Sequence, residues 1–249
     1  MGFYINACYN VSGDMMIIDQ SKNRYKYIFK GLGIIFLYFA VSFFKYLPFD
    51  LLHINRADIK DFSLIVYNLA IEMVLIVAIY SIYEKEFRLA ISDIKKNHKM
   101  YFDKYLKVYL IGVILMIGSN MIINILGGGI SENEGTIRKE MQMFPIYTYI
   151  SAVFLAPILE EMIFRLGIRS IVKNNVIYII LSGLIFGGLH LIGTPINILF
   201  PLYLLSYCSS GWGFAYMMSK SNNVLVSSGF HLMHNGIILS IQFFLLIFT

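Results

Sequence analysis

Long apolar stretches constrain this chain more than any other feature of its sequence. A helix needs about 20 mostly apolar residues to cross the hydrocarbon core of a bilayer. Seven stretches approach or exceed that length, at residues 27–47, 62–83, 104–126, 145–168, 176–193, 197–219 and 223–248. The chain of 249 residues is 58% hydrophobic and 14% charged, which is more apolar surface than a soluble fold of this size can bury. We therefore predict an all-α, polytopic transmembrane helical bundle of about seven spans.

The distribution of lysine and arginine predicts how this bundle is oriented. Thirteen of them lie in the N-terminal segment, in the predicted loop 84–104 and after the fourth and sixth stretches, against five in the opposite connections. Cytoplasmic loops carry the excess of basic residues, so we expect a multi-pass protein of the cell membrane, of bacterial type, with a cytoplasmic N-terminus. Seven spans then place the C-terminus outside, and an eighth span would reverse that placement. The net charge of +5 lies between apolar stretches, so anionic lipid is the expected partner and nucleic acid is not.

Other features of the chain are less informative. Cys8 and Cys208 are too few for a disulfide framework. The run Gly127-Gly128-Gly129 and the polar stretch 131–140 predict a flexible loop between the third and fourth spans.

Two adjacent carboxylates stand in the fourth stretch, where charge is costly. Ionisable groups inside membrane spans are functional candidates by default. Glu161 and Arg165 are four residues apart with the acid first, the favoured order for an ion pair on one helix face. Glu160 lies about 100° round the helix and should point elsewhere. We therefore expect Glu161 to neutralise Arg165 and Glu160 to face a cavity as a candidate general base. A charge cluster reaching the membrane interface is the alternative.

Two further stretches carry histidines at helical spacing. Phe186 and His190 share a face of the fifth stretch, and Gly187 and Gly188 between them would let a neighbouring helix approach closely. In the seventh stretch, His231 and Asn235 are four residues apart and point together. That spacing fits two hydrogen-bond donors aimed at one oxygen, metal ligation by histidine, or a structural face between helices.

Two other polar residues in the spans match no such pattern. His234, three residues after His231, lies close to the same face. Glu72 in the second stretch has no obvious partner, and packing or lining of a cavity is the role we assign to it.

The ordered patterns E-E-x-x-x-R, F-x-x-x-H and H-x-x-x-N resemble the CPBP family, the CAAX prenyl endopeptidase-like and bacteriocin-processing or immunity proteins also called Abi proteins. The resemblance covers about residues 145–240. It implies an intramembrane endopeptidase with a conical active-site cavity. It divides the chain into a cytoplasmic segment (1–26), N-terminal transmembrane helices and loops (27–144) and a CPBP/Abi-like catalytic core (145–249).

The resemblance also implies a role for each motif residue. Glu160 and His190 would activate a water, and His231 and Asn235 would form the oxyanion hole. Glu161, Arg165 and Phe186 would support them. Some members of the family have been described as metalloproteases, so Glu160, His190 and His231 are also candidate ligands for Zn²⁺, although Asn235 suits an oxyanion hole better than a zinc shell.

The residues themselves agree with hydrolysis and leave two other functions open. Peptide hydrolysis needs an activated water, a general base and donors for the oxyanion. No G-x-S-x-G elbow and no H-E-x-x-H zinc motif is present. A non-catalytic bacteriocin-immunity or scaffold protein of the same fold is the first alternative. A secondary transporter is the second, and the absence of an internal repeat counts against it. The expected partner is a peptide or protein substrate in or at the membrane.

Overall fold

The structure is a computed structural model that describes residues 8–9, 15–16 and 23–248. Most of the predicted N-terminal segment 1–26 therefore lies outside the described residues. The strand β1 (Cys8–Tyr9) pairs antiparallel with β2 (Met15–Met16), with Cys8 opposite Met16. This short pairing was not predicted, and the rest of the regular structure in the described residues is helical.

The helices follow the predicted apolar stretches. Their bounds are α1 Arg24–Phe44, α2 Leu47–Leu51, α3 Asp61–Ile82, α4 Glu84–Ile125, α5 Glu132–Met143, α6 Pro145–Ile150, α7 Ala156–Glu160, α8 Ile168–Ile171, α9 Asn175–Leu189, α10 Phe200–Ser221 and α11 Val224–Phe248. Among the described residues, α1, α3, α4 and α11 are long and apolar enough to cross a membrane, and α9 is a shorter apolar helix. A helical membrane protein is confirmed, and the number of seven spans stays a prediction.

The predicted loop 84–104 is helical. It forms the first half of α4, whose 42 residues extend over about 63 Å, roughly twice the thickness of the bilayer core. Asp93 fastens this half to the rest of the fold. Its Oδ2 accepts hydrogen bonds from the Tyr101 hydroxyl at 2.8 Å and from Asn223 Nδ2 at 2.7 Å. The contact with Asn223 holds the basic segment of α4 against the turn between α10 and α11, whereas the contact with Tyr101 lies within α4.

The polar stretch 131–140 is also helical rather than a flexible loop. Ser131 is the N-cap of α5, and its Oγ accepts a hydrogen bond from the backbone N–H of Glu134. Ser131 and Glu134 have the S-x-x-E spacing of a capping box, a start signal for a helix. The glycine run before it does form the turn, where Gly127 adopts a φ of 75°.

The fourth predicted span is one uninterrupted helical path, which we call the motif helix (residues 145–171). It contains two widened π segments, Ser151–Leu155 and Glu161–Gly167, between α6, α7 and α8. Pro157 follows the first of them, and its ring and missing N–H disfavour a normal α turn over the preceding residues. The second π segment contains Glu161 and Arg165. Such segments are rare and frequently occur at functional sites.

The ends of the helices assemble into two opposite ends of the bundle. The basic end joins the starts of α1 and α4 to the ends of α8 and α10, through the contacts Lys30–Glu86 at 3.1 Å, Tyr83–Ser170 at 2.8 Å and Asn223–Asp93 at 2.7 Å. The far end joins α5 to the start of α10 and the last turns of α11, through the contacts Ser131–Tyr207 at 2.6 Å and Glu134–Gln242 at 3.2 Å. The predicted cytoplasmic charges thus gather at one end.

Helices α9 and α10 pack closely because of glycine, but only one glycine of the predicted pair is responsible. A Cβ at Gly187 would lie 2.5 Å from Cys208 Sγ and 3.0 Å from its backbone nitrogen. A Cβ at Gly188 would meet no atom within 4 Å. The expectation that both glycines admit a neighbouring helix is therefore correct for Gly187 and wrong for Gly188.

These two neighbours give a matched test of the helix packing. We expect Gly187→Ala to lower the melting temperature relative to Gly188→Ala, because overpacking costs about 1–3 kcal/mol while the gain in helix propensity is common to both variants. Thermal unfolding of the detergent-purified proteins measures the difference. Equal melting temperatures would contradict the close approach of α9 and α10 at this point.

Candidate active site

A fully buried ion pair lies at the base of the site. Arg165 Nε is 3.3 Å from Glu161 Oε1, and neither side chain is exposed. The predicted pairing of these residues is present in the structure. Two buried charges cost several kcal/mol each unless they are well compensated, so the remaining contacts of the pair are decisive.

The guanidinium of Arg165 has compensation from the two neighbouring helices. Its Nη1 donates to Ser182 Oγ at 3.0 Å, and Ser182 in turn donates to the Phe164 carbonyl at 2.7 Å. The guanidinium carbon lies 4.7 Å from the Phe186 ring centre and 5.9 Å from that of Phe214. Aromatic faces attract a cation, and more strongly where water is excluded.

His231 connects the buried pair to the cavity. Its Nδ1 lies 3.1 Å from Glu161 Oε1, and its Nε2 lies 3.6 Å from Glu160 Oε2. The adjacent carboxylates therefore contact opposite nitrogens of one imidazole. Glu161 is fully buried, whereas the Glu160 side chain is 20% exposed and lines the cavity. The two carboxylates thus diverge as the helical spacing predicts.

His190 approaches Glu160 from α9. Its Nε2 is 3.8 Å from Glu160 Oε1, and its Nδ1 is 2.8 Å from the Phe186 carbonyl oxygen. Because a carbonyl only accepts, we assign the proton to Nδ1, which leaves the Nε2 of the neutral ring as an acceptor that faces Glu160. Phe186 also packs against this ring, with centroids 4.4 Å apart, and against His231 at 5.6 Å.

Asn235 lies one turn after His231 and lines the same cavity. Its Nδ2 donates to the Ala152 carbonyl at 2.8 Å, so one amide hydrogen is used and the other can serve a ligand. Ala152 belongs to the first π segment. The widened turn thus supplies the carbonyl that orients the amide.

The cavity has a volume of about 430 Å³ and extends from these residues towards the far end. The helix α5 forms one wall, together with the ends of α4 and α11 and the start of α10. Residues of α5 in the wall are Asn133, Glu134, Ile137, Arg138 and Glu140. Burial raises the pKa of Glu140 at this wall, although the charge of Lys45 opposes the shift. The volume suits a short stretch of peptide.

The three candidate zinc ligands lie in the same part of the cavity. Glu160, His190 and His231 converge, but among the residues that the structure describes no group of three or more His, Cys, Asp or Glu side chains could hold a metal ion. The second nitrogen of His231, Nδ1, contacts the Glu161 carboxylate, as the second nitrogen of a metal-bound histidine commonly does. The zinc site considered from the sequence stays a prediction.

The sequence patterns did not predict several contacts at the site. Glu72, for which the sequence offered no partner, has its carboxylate 3.1 Å from Ser151 Oγ. The Phe214 ring stacks on His231, with centroids 4.7 Å apart. His234 also lines the cavity, but its Nδ1 lies 3.4 Å from the Tyr109 hydroxyl. No motif pointed to Phe214 or Ser151, although a lone serine in an apolar span is a weak signal for a hydrogen-bond partner.

Residues 142–237 match the family described as type II CAAX prenyl endopeptidase Rce1-like. The suspected family resemblance is confirmed over this segment. It covers less than half of the chain, and it contains every motif residue from Glu160 to Asn235. No curated protein and no solved structure matches the chain.

The Rce1-like segment begins just before the motif helix and ends in α11, so it contains the elements that carry the converging residues. The matched family is one of proteases. A peptidase role at a membrane is therefore supported for this chain, with a peptide or protein as substrate.

The buried pair gives a prediction about stability. Arg165→Ala should lower the free energy of unfolding by about 3–5 kcal/mol, because it leaves the Glu161 carboxylate buried without its cation. The yield of folded protein and its melting temperature measure the loss. Arg88→Ala is the control, since Arg88 pairs with Glu84 at the same spacing but on the surface, and it should leave both unchanged. A stable Arg165→Ala protein would refute the structural role of the pair.

Proposed function

We propose that this protein is an intramembrane endopeptidase that hydrolyses a peptide bond with a water activated by Glu160 and His190. One observation carries the proposal. The Glu160 carboxylate lies between the Nε2 atoms of two histidines, at 3.6 and 3.8 Å, on the wall of a cavity large enough for peptide. An isolated structural carboxylate has no need of that arrangement, whereas hydrolysis needs a base beside a water site.

Glu160 and His190 together define the orientation of the water. Both the carboxylate and the unprotonated Nε2 of His190 accept hydrogen bonds. A water between them donates one hydrogen to each and directs its lone pair towards the cavity. The separation of 3.8 Å is too long for a direct hydrogen bond, so the two groups are free to bind that water.

His231 and Asn235 are the proposed donors to the oxyanion. Asn235 offers its second amide hydrogen, which the contact with Ala152 orients. His231 donates from Nε2 in its imidazolium form, because Nδ1–H is used on Glu161. Removal of one such donor typically slows hydrolysis by about 10²–10³-fold.

The proton balance is simple. Glu160 takes a proton as the water oxygen bonds to the carbonyl carbon, and the carbonyl oxygen becomes the oxyanion. Glu160 then returns the proton to the amide nitrogen as the carbon–nitrogen bond breaks. The products are a carboxylic acid, which keeps the second hydrogen of the water, and an amine, and the acid then gives that proton to the amine or to solvent. Glu161, Arg165 and Phe186 support these steps by fixing the two imidazole rings.

The substrate is proposed to be a peptide or protein segment held in or at the membrane. The site lies among apolar helices, and the family match concerns endopeptidases. Processing of bacteriocin or signal-peptide precursors stays a prediction from the resemblance. A non-catalytic immunity or scaffold protein is the alternative that the following experiment separates.

We expect Glu160→Gln and His190→Ala each to lower cleavage by at least about 10²-fold, because each removes an acceptor of the water proton. Internally quenched peptides, prenylated and unmodified, are assayed with the protein in liposomes. Peptidomics of membranes from cells with wild-type or Glu160→Ala protein tests natural substrates. Glu84→Gln, at an exposed carboxylate, is the control. If Glu160→Ala preserved both cleavage and cellular function, hydrolysis by this site would be disproved.

The same assay decides the question of metal. We expect a strong chelator to leave cleavage unchanged, because water activation is assigned to Glu160 and His190 alone. Loss of activity with the chelator, restored by Zn²⁺, would overturn the metal-independent mechanism.

The basic end is proposed to face the cytoplasm, which places α5 and the cavity wall it forms towards the opposite side. In a variant without Cys8 and Cys208, Thr136→Cys should react with a membrane-impermeant maleimide in intact cells. Lys96→Cys should react only after permeabilisation. Both positions are exposed, so accessibility within the fold is matched. The reverse labelling pattern would invert the proposed orientation.

A further inference from the structure

A tyrosine outside all three motifs contacts the proposed water-activating histidine. The Tyr207 ring of α10 stacks on the His190 ring, with centroids 5.2 Å apart and planes 26° from parallel. Phe186 lies against His190 as well, 4.4 Å between centroids. Two aromatic rings and the Nδ1 hydrogen bond to the Phe186 carbonyl therefore restrict the imidazole, whose Nε2 must point at Glu160.

The hydroxyl of Tyr207 makes a second contact, to a different part of the fold. It lies 2.6 Å from Ser131 Oγ. Ser131 is the buried N-cap of α5, and its Oγ also accepts from the Glu134 N–H. The Tyr207 side chain therefore contacts both the first turn of α5, which forms a wall of the cavity, and the ring of His190.

Besides the Ser131–Tyr207 contact, two polar contacts join the first turn of α5 to neighbouring segments. The Glu132 N–H donates to Thr194 Oγ1 at 3.2 Å, and Gln242 Nε2 donates to Glu134 at 3.2 Å. A three-glycine run precedes the helix, with Gly127 at a φ of 75°. Apolar packing of Met141 and Ile137 against Val153 and Leu239 holds the later turns of α5, so these polar contacts fix the first turn, which lies beside the site.

We propose that Tyr207 is a positioning residue for His190 and that it couples the orientation of this ring to the seating of α5. The inference rests on the proposed function. It assigns two separable roles to one side chain. The ring holds the imidazole, and the hydroxyl ties that ring to Ser131. Ordinary packing of a tyrosine would predict changes in stability alone.

The experiment is a double-mutant cycle with kinetic readout, on the full chain in liposomes with the internally quenched peptide that the wild type cleaves. Tyr207→Phe and Ser131→Ala each remove one partner of the same hydrogen bond, and we expect each to lower kcat by roughly threefold to tenfold. The double variant should be no slower than either single variant, because coupled residues are not additive. Tyr207→Leu also removes the stacked ring and should lower kcat further, with KM changed by less than about threefold.

The matched control is Tyr149→Phe, which breaks a similar pair, Tyr149 with Ser240 at 2.8 Å, away from the cavity wall. It should leave kcat unchanged. Additive effects in the cycle, or wild-type kcat in Tyr207→Phe, would overturn the coupling. If Tyr207→Leu does not fold, the cycle decides the question alone. Glu160→Gln is measured in parallel, so that its retained activity would disprove the proposed function, whereas its inactivity beside unaffected Tyr207 variants would disprove only this inference.

Discussion

The arrangement of the site depends on a pair of opposite charges that water cannot reach. Glu161 and Arg165 lie four residues apart in a widened segment of the motif helix, and both are fully buried. Hydrogen bonds to the remaining polar atoms of such a pair offset the cost of its burial. Ser182 accepts from the guanidinium, two phenylalanine faces lie against it, and His231 contacts the carboxylate, while Arg165 Nη2 is buried without a hydrogen-bond partner among the described residues. The proposed oxyanion donor is thereby fixed by a structural interaction rather than by a catalytic one.

The sequence was sufficient for the class of fold and for the residues that would converge. Apolar stretches of membrane length predict where helices lie, and spacing of four residues predicts which side chains share a face. The sequence was insufficient for two connections that proved to be helices. The basic segment at 84–104 lacks an apolar run, and its order follows from tertiary contacts such as those of Asp93 with Asn223 and of Glu86 with Lys30. The cap Ser131 was a readable signal for α5, but the glycines before it favoured a loop.

At the site, spacing within a helix predicts directions but not distances between helices. The spacing predicted that Glu160 and Glu161 point in different directions. It did not predict that the His231 imidazole would contact both carboxylates. Partners that lie on other helices, such as Ser151 for Glu72, follow from tertiary packing alone. Gly187 and Gly188 show the same limit. They are identical in sequence terms, but in the described part of the chain only Gly187 has a neighbouring helix in contact with it. The family match covers 142–237 and does not extend to α1, α3 or α4.

The second π segment has a consequence for the register of the motif helix. A π turn holds one more residue than an α turn. With that extra residue, the side chains after the turn lie about 100° from the directions that uninterrupted α winding through the same residues would give them. The widened turn therefore lets Glu160, before it, face the imidazoles while Arg165, within it, reaches Ser182 on α9. An irregularity of a single residue thus allows one helix to serve two neighbours.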